Sequence, residues 1–169
     1  MAANRNEIHV RSLDSESFRQ YGQLISIRRA SDMKPDFESE NITFYGALGI
    51  FESRTPMEFG ICTYKKREPV IEHLEQHVLT QELLYAIDDD FIMPVAPNVT
   101  RGVRNVPDLD NLEAVEVRKG EGILFDKGIW HWIPYPRRNH SYALVGFSKD
   151  TAKNDIEVFD LDEVIHILE

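Results

Sequence analysis

Across the middle of the chain, short runs rich in Ile, Val, Phe, Tyr and Thr alternate with clusters of turn formers, and this alternation limits the fold more than any other feature. The runs cover 42–51, 57–64, 91–95, 112–117, 123–125 and 142–147, and the turn clusters cover 53–56, 88–90, 107–111, 119–122 and 134–139. β-Branched and aromatic side chains suit a pleated, half-buried surface, and runs of this length are strands rather than helices. Turns at this spacing belong to a sandwich or barrel, so the expected fold is an all-β, antiparallel barrel. Ahead of it, Asp14, Phe18, Tyr21 and Gly22 predict a short N-terminal helix with a polar start, an apolar face and a glycine stop. The stretch 101–111 reads as a long polar loop. The tail 160–169, with Leu161, Val164, Ile165 and Leu168, is apolar enough to dock either as a helical turn or as a strand.

No repeat, low-complexity tract or linker divides the 169 residues, so one domain over 1–169 is expected. A chain of this size buries roughly 70% of the surface its unfolded form exposes. With 29 acidic against 19 basic residues it carries a formal net charge of −10. Nucleic acid and anionic membranes both require a basic face, so neither is an expected partner; a small molecule or a protein is. Cys62 stands alone and cannot form an intramolecular disulfide, and the first residues lead into no apolar, signal-like run, so a cytoplasmic location is expected. No apolar stretch approaches the roughly 20 residues that cross a bilayer.

Two stretches concentrate metal-ligating residue types: Glu75-x-His77-x4-Glu82 and Gly120-x5-Asp126-x-Gly128-x2-His131. Residues two apart on a strand share a face, so Glu75 and His77 project into one interior. Glu82 joins them from the following strand, and His131 follows the Asp126-Lys127-Gly128 turn onto a strand facing the first pair. Two imidazoles and two carboxylates suit a divalent cation such as Ni, Mn, Zn or Fe, with one position left open for substrate or water. The expected metal ligands are therefore Glu75, His77, Glu82 and His131, and Glu75 and His131 are also the expected catalytic groups. The two stretches resemble the paired motifs of cupin barrels, the double-stranded β-helix or jelly-roll fold. Glu75 stands where the first motif has a His, and Asp126 where the second has a Pro.

Neighbouring residues have plainer readings. His73 is a surface or supporting histidine. Trp130 and Trp132 flank His131 on the opposite strand face and suit core or dimer packing. Lys65-Lys66-Arg67 is a solvated turn, or a basic run that draws in an anionic substrate. Asp88-Asp89-Asp90 is a hairpin turn, Cys62 a buried small apolar residue rather than a nucleophile, and Gly120-Glu121-Gly122 a turn that opens no helix.

Along nearly its whole length the chain resembles the ureidoglycolate lyase family, also called ureidoglycolate hydrolase. The resemblance is carried by Phe18-Arg19-Gln20-Tyr21-Gly22, Leu74-Glu75-x-His77, Val95-Ala96-Pro97, Trp130-His131 and the acidic Asp155-Ile156-Glu157. It implies a cupin that releases urea and glyoxylate from ureidoglycolate, a small anionic substrate, in allantoin breakdown, and a homodimer. The chain departs from the family pattern at Phe44-Tyr45-Gly46, where Arg-Tyr-His is frequent, at Glu82, where Gln is common, and at Trp132, where a second His stands. The competing expectations are a cupin that binds a metabolite without turnover, and a cupin enzyme acting on another small hydroxy or keto acid.

Overall fold

The computed structural model describes residues 6–169. Its first strands are β1 (Glu7–Ser12), β2 (Gly22–Ser26), β3 (Phe37–Glu38), β4 (Thr43–Phe44), β5 (Met57–Lys65), β6 (Val70–Gln76), β7 (Glu82–Ala86) and β8 (Phe91–Ala96). The rest are β9 (Asn98–Arg101), β10 (Arg104–Pro107), β11 (Glu113–Val117), β12 (Glu121–Phe125), β13 (Trp130–His131), β14 (Tyr135–Pro136), β15 (His140–Ser148) and β16 (Glu157–Leu168). Among the described residues helix is confined to α1 (Ile27–Ser31), α2 (Thr151–Asn154) and two 3-10 turns, Ser17–Gln20 and Leu109–Asn111.

The all-β barrel expected from the strand pattern, of the cupin type that the paired motifs resemble, is what the pairing shows. β11, β1, β16, β6, β13 and β8 pair in succession, and β8 returns to β11 to close the ring. A second sheet runs β2-β12-β7-β15-β5. β1 lies parallel to both β11 and β16, while the other pairings, such as β8 with β11 and β15 with β5, are antiparallel. The burial of β8 on both faces explains its unbroken apolar run: Phe91, Met93 and Val95 enter one core with Leu84, Ile123, Phe125 and Val145, while Ile92 and Ala96 enter another with Ile71, Leu74 and Trp130. The functional residues sit at the edge of the first core.

Several expectations are corrected. The N-terminal helix is a single 3-10 turn, started by Asp14 Oδ1, which accepts the N–H groups of Ser17 at 2.9 Å and Glu16 at 3.1 Å. Gly22 is no helix stop: at φ +148 it begins β2, where a Cβ would lie 2.0 Å from the Leu124 carbonyl oxygen. Of the strand expected over 42–51, only Thr43–Phe44 pairs, with Phe37–Glu38. Side chains take up part of the remaining backbone there: Asp36 accepts from Gly46, Arg29 donates to Leu48, and Gln23 both accepts from and donates to Ile50. The loop expected over 101–111 is largely a hairpin, β9 to β10, turned by Gly102 at φ +66. Asp88-Asp89-Asp90 is not a hairpin turn, because it carries the chain from β7 in one sheet to β8 in the ring. The tail resolves as strand: β16 pairs with β6, with a register shift between Asp160 and Ile165. Among the described residues no helix is long and apolar enough to cross a membrane.

Candidate metal centre

The four expected ligands come together from both sheets. Glu75 lies on β6 and His77 just beyond its end; Glu82 opens β7 in the second sheet; His131 closes β13. His131 is not on a strand facing the first pair, because β13 runs beside β6 with His131 directly opposite Glu75. The residue that faces them from the other sheet is Glu82. Ligand atoms of Glu75, His77 and His131 lie within 4.8 Å of one another. Glu82 Oε2 lies 2.9 Å from His131 Nε2 and 3.5 Å from His77 Nε2, and Glu75 Oε1 lies 3.9 Å from His131 Nε2. Atoms held about 2.0–2.2 Å from a zinc-like ion are themselves about 3–3.5 Å apart, so the separations of Glu82 from His131 and His77 suit a shared cation, while Glu75 stands farther from His131.

A second observation tests that fit. Glu82 Oε2 and His131 Nε2 are buried and, although close, are misaligned for a hydrogen bond; neither has a partner. Buried polar atoms are nearly always paired, and a cation between these two would supply the missing partner. Each imidazole is also presented by its far nitrogen. His77 Nδ1 meets the Asp155 carbonyl and His131 Nδ1 meets the Ile129 carbonyl, the latter at 3.0 Å. A carbonyl only accepts, so both Nδ1 atoms carry protons and both Nε2 atoms are turned to the centre, as a metal-binding imidazole requires. Phe125 stacks on the His131 ring, with centroids 4.8 Å apart and planes at 13°, and fixes its orientation.

A hydrogen-bond chain ties these elements together. Asp155 takes the Val78 and Leu79 N–H groups on its two carboxylate oxygens, at 2.9 and 2.8 Å, while its carbonyl holds His77. Gly128 N–H donates to the His77 carbonyl at 2.7 Å, and Gln81 donates to Asp126 at 3.0 Å, so the turn before His131 is pinned to the segment after His77. Trp130 Nε1 donates to Asn98 at 2.6 Å, Asn98 donates to Gln76, and Gln76 donates to Glu157 at 2.6 Å.

The charges fit the same arrangement. Burial pushes the His77 imidazole down, but Glu82, the Asp155 carbonyl and the charge of Glu75 outweigh it and hold it up at about 9. Burial pushes the Glu82 carboxyl up, but His131 and His77 beside it outweigh that and hold it down at about 2. Without a cation the centre is therefore an imidazolium against a carboxylate. Glu75 is the most accessible of the four: its side chain is 23% exposed against 10% for Glu82.

The remaining candidates fall elsewhere. His73 pairs with Asp160 at 2.7 Å on the surface, outside the ligand group. Trp130 and Trp132 pack into or against the second core, as their strand face implies. Arg67 is not a free charge: it donates to the carbonyls of Pro134 and Ile133 and lies 3.9 Å over the Tyr135 ring. Cys62 is half-buried against the first core. Asp155 and Glu157 lie in the acidic segment that carries the family resemblance, but nothing in their spacing indicates that they support the centre. Asn98, Phe125 and Phe147, whose ring lies 6.4 Å from His77, carry no such signal in the sequence.

The chain matches the model of one protein family, ureidoglycolate lyase, over residues 5–168. No curated protein matches its sequence. Among solved structures, procruciferin, an 11S globulin of Brassica napus, is 9% identical with a TM-score of 0.41, covering 62% of this chain and 23% of that one. Oxalate decarboxylase of Bacillus subtilis, studied for its Mn(II) centers, is 16% identical with a TM-score of 0.42, covering 79% of this chain and 31% of that one. The chain thus spans between about a quarter and a third of the length of these structures. Both likenesses are loose, and the fold assignment stands on the strand pairing alone.

Proposed function

Because the chain belongs to the ureidoglycolate lyase family, we propose that it is a metal-assisted carbon–nitrogen lyase that releases urea and glyoxylate from ureidoglycolate. The observation that carries this reading is the convergence of His77, Glu82 and His131, with both imidazoles presented through Nε2 and two buried atoms left without partners. Ureidoglycolate is a carbinolamine: its hydroxyl must lose a proton, its carbinol carbon must become a carbonyl, and the urea nitrogen must leave protonated. A divalent cation held by His77, Glu82 and His131 would supply Lewis-acid polarisation of the substrate oxygens. Glu75, beside His131 and open to solvent, takes the hydroxyl proton and returns it to the departing nitrogen, so no net proton is consumed. No covalent nucleophile is needed. The same reading takes the working form to be a homodimer, as the family resemblance implies, of single-domain chains in the cytoplasm.

The test is release of glyoxylate and urea by chelator-treated protein, with Ni, Mn, Zn and Fe(II) returned one at a time. Release that depends on one of them supports the reading and names the ion. Absence of release with every metal overturns it in favour of a binding role or another small acid.

A further inference from the structure

One inward position in the sheet that carries Glu82, two strands away from it, is left without a side chain. β5 pairs with β15 without a register break from Met57↔Ser148 to Lys65↔His140, so alternate residues keep to alternate faces along the whole strand. Cys62 and Tyr64 face the first core beside their partners Ala143 and Ser141, and by the same alternation Gly60 and Glu58 face inward beside Val145 and Phe147. Phe59 and Ile61, of opposite parity, are 61% and 60% exposed on the outside. Gly60 is exposed although it is an inward position, and a Cβ built there would meet nothing within 4 Å. Its partner Val145 is nevertheless buried. A glycine in a strand interior forfeits packing and entropy and often marks a bulge, a tight bend or the close approach of a ligand or another backbone, and the unbroken pairing here leaves no bulge.

Side chains on the same face, to either side of Gly60, bear on the centre. Beside Glu58, the Phe147 ring reaches to 6.4 Å from His77. Beyond Cys62, the Tyr64 ring packs edge-on to Phe91 at 6.2 Å, and its hydroxyl lies next to the Cys62 thiol in the field of Glu82 and Glu75. Burial and those neighbouring groups push the phenol well above its ordinary value, so it stays protonated and can act as a hydrogen-bond donor.

We infer that the substrate lies over Gly60, between the inner face of β5 and the His77–Glu82–His131 centre, that the Tyr64 hydroxyl donates to one of its oxygen atoms, and that the absent side chain at Gly60 sets the size of molecule accepted. The ligand class is a small, oxygen-rich hydroxy or keto acid. This rests on the proposed lyase reading for its substrate but not for its geometry, and the two are separable by experiment.

Gly60→Ala, Gly60→Val and Tyr64→Phe are compared with the unaltered metal-loaded protein by metal content, thermal midpoint, glyoxylate affinity by calorimetry, and KM and kcat for ureidoglycolate. Both glycine variants are expected to keep the metal and the midpoint, since an added side chain enters open space and a β-branched residue suits a strand. Glyoxylate affinity and KM should worsen in the order Ala, then Val, by at least tenfold at Val. Tyr64→Phe should worsen both about fivefold with metal content unchanged. Unaltered glyoxylate affinity and KM in Gly60→Val overturn the inference even if the parent releases urea. Conversely, a parent that releases no urea but binds glyoxylate, with binding lost in Gly60→Val, sinks the lyase reading and supports the placement of the ligand.

Discussion

His131 and Glu82 lie 2.9 Å apart, His73 and Asp160 2.7 Å apart, and both histidines belong to neighbouring strands of the ring. Distance does not distinguish them. The His131 and Glu82 side chains are 4% and 10% exposed, whereas those of His73 and Asp160 are 42% and 82% exposed. The inner histidine spends Nδ1 on a backbone carbonyl and turns Nε2 to the centre, while His73 spends Nδ1 on the carboxylate itself. The inner pair is left misaligned with partnerless atoms, whereas the outer pair is satisfied. Burial, and the use made of the second nitrogen, separate a metal-ready histidine from a surface ion pair.

The sharpest way to break that contrast is His131→Ala. It removes a ligand whose position is fixed by Phe125 and Ile129, and metal-assisted polarisation is worth several kcal/mol, so turnover should fall by more than about 1,000-fold and bound metal should be lost. Metal analysis and single-turnover assays would show it; retained metal with near-normal turnover would sink the ligand assignment. Next is Glu82→Gln, which keeps the shape and installs the residue common in the family. In metal-free protein His77 loses the partner that holds it up at about 9, so stability at pH 7 should fall by about 2–3 kcal/mol in denaturant titrations.

Asp155→Ala acts at one remove. It frees the N–H groups of Val78 and Leu79 and releases the carbonyl that orients His77. Losing such outer support typically costs 10–100-fold in metal affinity, and calorimetry should find about that loss. An unchanged affinity would mean that the His77 segment holds itself. This layer is also where the sequence stops being legible. Glu75, His77 and Glu82 lie within eight residues and His131 sits behind a glycine turn, so their convergence follows from strand geometry. Asp155 meets His77 across 78 residues and Asn98 meets Trp130 across 32, and such contacts exist only once sheet order is known. The fold shows the same division. β8 and β15 were plain from their composition, but β1, with four polar residues out of six, was not, because its register is set by β11 and β16 rather than by its own pattern. The stretch 42–51 misled because beyond 43–44 it runs as irregular chain tied down by side chains, with Ile42, Phe44 and Ile50 exposed rather than packed in a strand.

The inner site should also show itself in a pH dependence of stability. The folded value of His77 lies above the ordinary imidazole value of 6.5, so in metal-free protein its stabilisation is complete below about pH 6.5 and is lost as pH rises through about 9. The folded value of Glu82 lies below the ordinary 4.5, so its stabilisation is present above that and lost as pH falls toward about 2. Metal-free protein should be most stable between about pH 4.5 and 6.5, and the metal, which displaces the His77 proton, should raise the thermal midpoint more at pH 8 than at pH 5. Thermal melts across that range with and without metal would decide it, and an equal metal effect at both pH values would contradict a protonated His77.

The smallest effect is expected at the outer pair, where it is the most informative. His73→Ala deletes an imidazole whose carboxylate partner stays hydrated, and exposed pairs of this kind contribute little, so stability should change by no more than about 0.5 kcal/mol. Metal content and turnover should not change. His73 lies two residues before Glu75 on β6 and its ring centroid is 5.4 Å from that of Trp132, so simple proximity would make it part of the site. A tenfold loss of metal affinity in His73→Ala would show that a histidine beside the centre contributes without being buried, and the distinction between the two pairs would then have to be drawn from their charges rather than from their burial.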